Sequence, residues 1–366
     1  MSAPIFRPLL VLAAWLAAGA AFAAAATHHQ SAGAGSINPG AFRSAIVIDA
    51  VSGQVLFEDR ADVQSPPASV TKLMTFYIVE QKLKEGTLTL GTPVTITAVA
   101  AHTGGSRVWL VDKEQITVEE LLYALMVHSA NDAAVALAIQ VAGSKEAFTD
   151  LMNLKARELG LHHTDFHSPH GLPPGKGQEP DLSTARDLAL LARKLIAETD
   201  ILKYSSTRHR QFRHQNGKVI ELDTHNHLLG VVPGCDGLKT GYYREAGFSL
   251  VATVQRGGRR IIAVILGSPE RELRDTVTTQ LIERGFAALP PLVAPAANAL
   301  PATSPASAAT IAGPAPAKPP APAPKAATAP ADDTTAPRLI PVESEAPQPA
   351  AAADATVHLN LSGTKK

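Results

Sequence analysis

Near residue 291 the chain changes character abruptly, and that break limits what can fold. Beyond it Ala, Pro, Thr and Ser dominate, with Pro319-Pro320 and repeated Ala-Pro steps. Such a stretch cannot bury enough apolar surface to offset the entropy lost on ordering, so 291–366 is expected to be a disordered, extended tail. Residues 27–40 are small and polar and read as a linker. One sizeable core must therefore be built from residues 41–290, long enough for a single domain. Cys235 is the only cysteine. No intramolecular disulfide can form, so packing alone holds the domain, and the thiol is expected to be a small buried side chain.

The start of the chain has the layout of a secretory signal. Arg7 supplies a positive n-region, and Leu9 to Phe22 is an apolar run too short and Ala-rich for a comfortable membrane span. Ala21-Phe22-Ala23 or Ala24-Ala25-Ala26 offers a small-x-small cleavage site, so 1–26 is expected to be a signal peptide, a retained anchor being the alternative. The formal net charge is zero. Nothing in that balance recruits nucleic acid or an anionic membrane surface.

Periodicity places sheet at both ends of the folded part and helix between. Ser44 to Asp49 and Gln54 to Phe57 are apolar-rich and joined by Ala50-Val51-Ser52-Gly53, a hairpin pattern. Phe248 to Val254 and Arg260 to Leu266 flank Gly257-Gly258, a second hairpin. Thr117-Val118-Glu119-Glu120 is a capping box ahead of an apolar run, and Lys145 to Leu159 and Asp187 to Ile196 read as amphipathic helices. Terminal strands around a helical middle predict an α+β fold: an antiparallel sheet flanked by helices, with an inserted helical subdomain.

Three short motifs carry chemistry, in this order: Ser69-Val70-Thr71-Lys72, Ser129-Ala130-Asn131 and Lys239-Thr240-Gly241. Each is weak alone. A Ser-x-x-Lys arises by chance roughly once per few hundred residues, and Ser362-Gly363-Thr364-Lys365 in the tail is such a copy, as Ser36-Ile37-Asn38 is of the second motif. Local context separates the copies. Pro66-Pro67-Ala68 precedes Ser69, so the serine falls in the first turn of a helix running to about Lys84, with Lys72 one turn on along the same face. Free N–H groups at that start favour developing negative charge. A serine hydroxyl needs a base, and lysine serves only if burial or a nearby cation lowers its pKa. Lys239 is the obvious cation.

Ser129 to Asn131 sits at a junction between two helices, where a hydroxyl and an amide can face a cleft. Lys239-Thr240-Gly241 falls at or in an edge strand beside that cleft, where Lys and Thr can grip a carboxylate and Gly241 permits close backbone approach. The bland readings are a capping Ser with an exposed Lys, a turn with two local caps, and a solvated turn before a strand.

Over about residues 41–288 the chain resembles the serine-type D-Ala-D-Ala carboxypeptidases, the low-molecular-mass penicillin-binding proteins. The likeness rests on Pro67-Ala68-Ser69-Val70-Thr71-Lys72-Leu73-Met74-Thr75, Ser129-Ala130-Asn131-Asp132-Ala133-Ala134, His170-Gly171-Leu172, Ser183-Thr184-Ala185-Arg186-Asp187 and Gly237-Leu238-Lys239-Thr240-Gly241. It implies a β-lactamase/transpeptidase-like fold and a cofactor-free, metal-free D,D-peptidase that removes the terminal D-Ala from peptidoglycan stem peptides. In that family's scheme Ser69 attacks, Lys72 is general base, Ser129 relays the proton and Asn131 binds the substrate carbonyl. Lys239, Thr240 and Arg274 hold the terminal carboxylate, and the N–H groups of Ser69 and Tyr242 form the oxyanion hole. β-Lactams would acylate Ser69. Periplasmic localisation, with the cell wall as substrate, is implied too. In place of the family's frequent C-terminal amphipathic anchor stands the Pro/Ala tail, which has no apolar stripe.

Other readings share parts of this pattern, among them a binding-only protein that has lost catalysis, against which intact Ser69 and Lys72 argue. A D,D-endopeptidase would use the same residues on cross-linked peptides. A class A β-lactamase needs a deacylating Glu; Glu179-Pro180-Asp181-Leu182-Ser183 mimics that segment but lacks its final Asn and runs straight into Ser183-Thr184-Ala185-Arg186-Asp187. A metal enzyme could draw on His162, His163, His167 and His170, but they follow Leu159-Gly160, a helix stop, and lack the usual ligand spacing.

Overall fold

The structure is a computed structural model and describes residues 40–290. The expected signal peptide at 1–26, the linker up to residue 39 and the tail at 291–366 lie outside the described residues. The chain opens with the hairpin β1 (Ser44–Asp49) and β2 (Val55–Asp59). The Asp49 carboxylate holds its turn by accepting from the Val51 and Ser52 amides at 3.0 and 2.7 Å. A 3-10 turn at Ala68–Thr71 leads into α1 (Lys72–Lys84). There follow β3 (Pro93–Thr95), α2 (Ala98–Ala101), β4 (Gln115–Thr117), α3 (Val118–Val127), α4 (Asn131–Ala142) and α5 (Lys145–Glu158). After a long loop come α6 (Ala185–Glu198), α7 (Ile201–Ser205) and the hairpin β5 (His209–Arg213) and β6 (Val219–Asp223). The chain closes with β7 (Cys235–Tyr243), β8 (Gly247–Arg256), β9 (Arg259–Ser268) and α8 (Arg271–Ala288).

One five-stranded sheet in the order β2-β1-β9-β8-β7 organises these elements, with antiparallel ladders throughout. Its inner strands are apolar on both faces, as strands covered on two sides must be. Alternation sorts the side chains. Ala45, Val47, Ile261, Ala263 and Ile265 pack with Val277, Leu281 and Ile282 of α8. Ile46, Ile48, Ile262 and Val264 face the other way, into a core shared with α1, α3, α4 and α6. Residues 60–234 are thus an insertion between two parts of one sheet. At its centre α4 is buried along its first two turns, and its Ala-rich sequence lets neighbouring helices approach.

The expected α+β architecture and both hairpins are present. One local expectation changes: Ser69 lies not in an α-helical turn but in the preceding 3-10 turn, and α1 begins at Lys72. Pro67 and a left-handed Ala68 (φ 50°) tighten the chain there. Cys235 is half-buried at the start of β7 rather than enclosed, its sulfur 3.7 Å from the Gly237 carbonyl. Burial pushes its thiol pKa up, which leaves it unreactive.

Candidate active site

The insertion and the β7 edge of the sheet enclose a pocket of about 340 Å³ lined by Ser69, Ser129, Asn131, Thr240, Gly241 and Tyr242, with Arg274 at one wall. All three motifs therefore meet. Lys72 is fully buried beneath it. Its Nζ lies 3.0 Å from Ser69 Oγ, 2.7 Å from Asn131 Oδ1 and 2.6 Å from the His170 carbonyl. Asn131 Nδ2 donates to the Gly104 carbonyl at 2.8 Å, which orients the amide so that its oxygen faces the lysine. Two of the three neighbours of Lys72 Nζ can only accept. Once the amine is neutral, two of its N–H bonds serve those oxygens, and its lone pair is left for the Ser69 hydroxyl proton.

Electrostatics favour that neutral form. Desolvation, and after it the charge of Lys239, hold the Lys72 pKa well below its ordinary value; Asp181 and Asp132 oppose them. Lys239, itself buried, is lowered to about 7 by desolvation and by Arg274. Of the charges that act on Lys72, that of Lys239 is the one that lowers its pKa. His170 is held neutral, at about 3, by burial and by Lys72, and its Nδ1 accepts from the Leu172 amide at 3.1 Å. That bond shapes the loop whose carbonyl receives Lys72.

Backbone geometry is tight around the serine. A Cβ at Gly171 would stand 2.0 Å from the Ala68 carbonyl oxygen, and one at Gly241 would stand 2.4 Å from that of Pro67 and 3.2 Å from Ser69 N. Only glycine lets these two segments close on the Ser69 amide. Ala68 and Ser129 both have positive φ, 50° and 59°. Strained backbone of this kind persists where the surroundings over-determine it, often at functional sites. Ser129, 3% exposed, occupies the expected junction between α3 and α4.

On the other wall, Lys239 to Tyr242 lie within β7, the edge strand, rather than in a turn before it. Lys239 Nζ donates to the Thr240 carbonyl at 3.0 Å. Tyr242 is half-exposed and stacks on Phe248, with ring centroids 4.0 Å apart. Arg274, on the first turn of α8, is 2% exposed, and its Nε and one terminal nitrogen are held by Asp275 at 2.8 and 2.6 Å. The ion pair fixes the guanidinium in the pocket wall.

Several residues here escaped the sequence reading. Asp132 is wholly buried, and its carboxylate accepts from the amides of Val108, Leu110 and Ala133. Asp181, in the segment set aside as a chance likeness, accepts from Thr71 Oγ1, the His167 and Ser168 amides and Ser168 Oγ, tying the loop to the serine's turn. Glu179 lines a neighbouring cavity with His167 and Glu146, not the pocket of Ser69. His225 also faces the pocket, its ring 5.6 Å from that of His128. Part of the residue stays exposed, yet desolvation in the wall and the charge of Lys239 push it down to about 4. Thr224-His225-Asn226-His227 was the one visible signal, and nothing in its spacing singled it out. The His162–His170 stretch is loop, as expected. Among the described residues no group of three or more His, Cys, Asp or Glu is gathered as metal ligands would be.

An antiparallel sheet with a helical insertion, and a buried lysine beside a serine at the sheet edge, define the penicillin-binding-protein class of fold. Solved structures bear this out. The D-alanyl-D-alanine carboxypeptidase DacD from Francisella tularensis superimposes with a TM-score of 0.63 at 29% identity, covering 69% of this chain and 72% of its own. Penicillin-binding protein D2 from Listeria monocytogenes, in its ampicillin-bound form, gives 0.61 at 31% identity, covering 69% and 99%. Within that class the family profile of D-alanyl-D-alanine carboxypeptidase, peptidase family S11, matches residues 31–270, and the chain belongs to that family. Its relatives include D-alanyl-D-alanine carboxypeptidase DacF of Bacillus subtilis, 36% identical over 244 residues (67% of this chain and 62% of the relative). Another is DacC of Escherichia coli, 38% identical over 251 residues (67% and 61%). The chain spans about three fifths of the length of these curated relatives.

Proposed function

We propose that the protein is a serine D-Ala-D-Ala carboxypeptidase acting on peptidoglycan stem peptides. The observation that carries the reading is the Lys72 amine, buried and 3.0 Å from Ser69 Oγ, with its other two neighbours able only to accept. Ser69 Oγ attacks the carbonyl between the two D-alanines as Lys72 takes its proton. The Ser69 and Tyr242 amides stabilise the oxyanion, and Ser129 passes the proton on to the leaving amine. Asn131 binds the substrate carbonyl with its remaining Nδ2 hydrogen. Lys239, Thr240 and Arg274 receive the terminal carboxylate, and water then cleaves the acyl-enzyme. β-Lactams react at the same serine as substrate mimics. Export to the periplasm, at the cell wall, is supported by the signal-like first 26 residues.

Mass spectrometry after penicillin treatment tests the serine. One adduct on the Ser69 peptide, lost in Ser69→Ala, is expected, together with release of D-Ala from a pentapeptide. An adduct elsewhere, no adduct, or rapid complete turnover of penicillin would overturn the proposal.

A further inference from the structure

Beyond the pocket mouth, residues 107–111 form a rim whose side chains alternate. Val108 and Leu110 turn inward and are buried, and their amides donate to the Asp132 carboxylate at 3.1 Å. Trp109 and Val111 turn outward, 51% and 50% exposed. The Arg107 guanidinium lies 3.8 Å from the centre of the Trp109 ring, over one face, and about half of the residue stays open to solvent. Trp109 also has a positive φ, 60°, which a bulky residue adopts only where its neighbours impose it. Asp132 imposes it here, by gripping the amides on either side. The rim is continuous with the pocket: Gly105 and Ser106 line the pocket, and the Ser106 carbonyl accepts from the Asn131 amide at 2.7 Å.

An indole held rigid, presented outward and backed by a cation is built as a flat contact surface. On the reading above, in which a stem peptide reaches Ser69, we propose that Trp109, backed by Arg107, is a stacking platform for a sugar ring of the glycan strand that carries that peptide. A pyranose offers a face of C–H groups to an aromatic ring, and its acetamido and ether oxygens accept from guanidinium N–H groups. The lengths are of one scale: Trp109 stands three residues beyond Ser106 of the pocket lining, at most about 10 Å along the chain, and the three or four residues between scissile bond and sugar extend at most about 10–14 Å. Size agrees as well. A stable protein partner needs about 800 Å² on each side, whereas one indole and one arginine match a single sugar.

The test compares two substrates on the full chain: the free pentapeptide and the same peptide on its N-acetylated disaccharide. Trp109→Ala should raise KM for the disaccharide substrate roughly 5–10-fold, with kcat and free-peptide turnover unchanged. Trp109→Phe should recover most of the loss. Peptide-free glycan oligomers should alter the intrinsic fluorescence of the wild type and not that of Trp109→Ala, in which Trp15 is the only indole left. Equal losses on both substrates, no loss on either, or no fluorescence response would each overturn the platform. A wild type that turns over neither substrate would instead overturn the catalytic reading, and the fluorescence arm would still decide the platform.

Discussion

Adding one methyl group at Gly241 should disable the serine without touching its side chain. The Cβ of Gly241→Ala would stand 2.4 Å from the Pro67 carbonyl oxygen and 3.2 Å from both Ser69 N and Ala68 Cβ. Such contacts essentially never fall below 3.0 Å. Either β7 or the 3-10 turn must therefore retreat by about 0.6–1 Å, the upper figure reaching ordinary contact. The atom opposed is backbone, so no side chain can swing aside. A misplacement of about 1 Å at a reacting centre costs on the order of 10²-fold. Stability should fall by only about 1–3 kcal/mol, as for other overpacked sites. The assay is the second-order rate of acylation by a fluorescent penicillin, followed beside D-Ala release and a thermal melt. Gly91→Ala serves as control, because nothing lies within 4 Å of a Cβ there and it should behave as wild type. Acylation by Gly241→Ala within about threefold of wild type, a difference under 1 kcal/mol, would refute the argument that close approach of these two segments sets the nucleophile.

Lys72→Arg should lower acylation by roughly 10²–10⁴-fold, because a guanidinium stays protonated and cannot accept the hydroxyl proton as the neutral amine does; mass spectrometry of the penicillin adduct against time measures it. Lys239 has a folded pKa of about 7 against 10.5 for an exposed lysine. The unfolded chain then binds more protons between those values, so this residue's contribution to stability is lowest below about pH 7 and rises toward pH 10; urea melts across that range should show a flatter rise for Lys239→Met. Asp132→Asn must turn its amide N–H₂ toward a backbone donor, Leu110 on one side or Ala133 on the other, and should cost about 1–3 kcal/mol in the same melts. Thr117→Ala removes the hydroxyl that accepts from Glu120 N and should cost about 1 kcal/mol with acylation unchanged.

What could be read from the sequence was local. The β1–β2 turn is made by Asp49 and Ser52, neighbours in the chain, and the α3 cap by Thr117 three residues from its donor. The motif serines and lysines stood out because their spacing matched a helix turn, a helix junction and a strand edge. Asp181 and Asp132 act at a distance in the chain: Asp181 meets Thr71 across 110 residues, and Asp132 meets Val108 across 24. A single buried carboxylate that gathers backbone amides leaves no periodic trace. The short strands β3 to β6 pair with one another, but each buries a single residue, which leaves too little alternation to read. His214, just beyond β5, is held by the Glu114 carboxylate and the Val108 carbonyl. The 3-10 turn at Ser69 was also beyond reach, because the opposing Gly171 and Gly241 shape it.

The division of the sheet also has a consequence in time. Ser44 of β1 pairs with Leu266 of β9, its neighbour in the sheet but one of the last strands to be made. At about 5–20 residues per second, the first strand waits roughly 10–45 s for its partner. Contacts of such long range slow folding and leave partial chains open to proteases. Ser69 and Lys72 are made early, yet the charge that lowers the lysine pKa arrives with Lys239, on the strand next to the closing hairpin. A truncated product that ends before β7 therefore carries the serine without the lysine charge that helps to lower the pKa of its base. Labelling by a penicillin would pass over chains that have not yet gained β7, which makes it a measure of assembly as much as of catalysis.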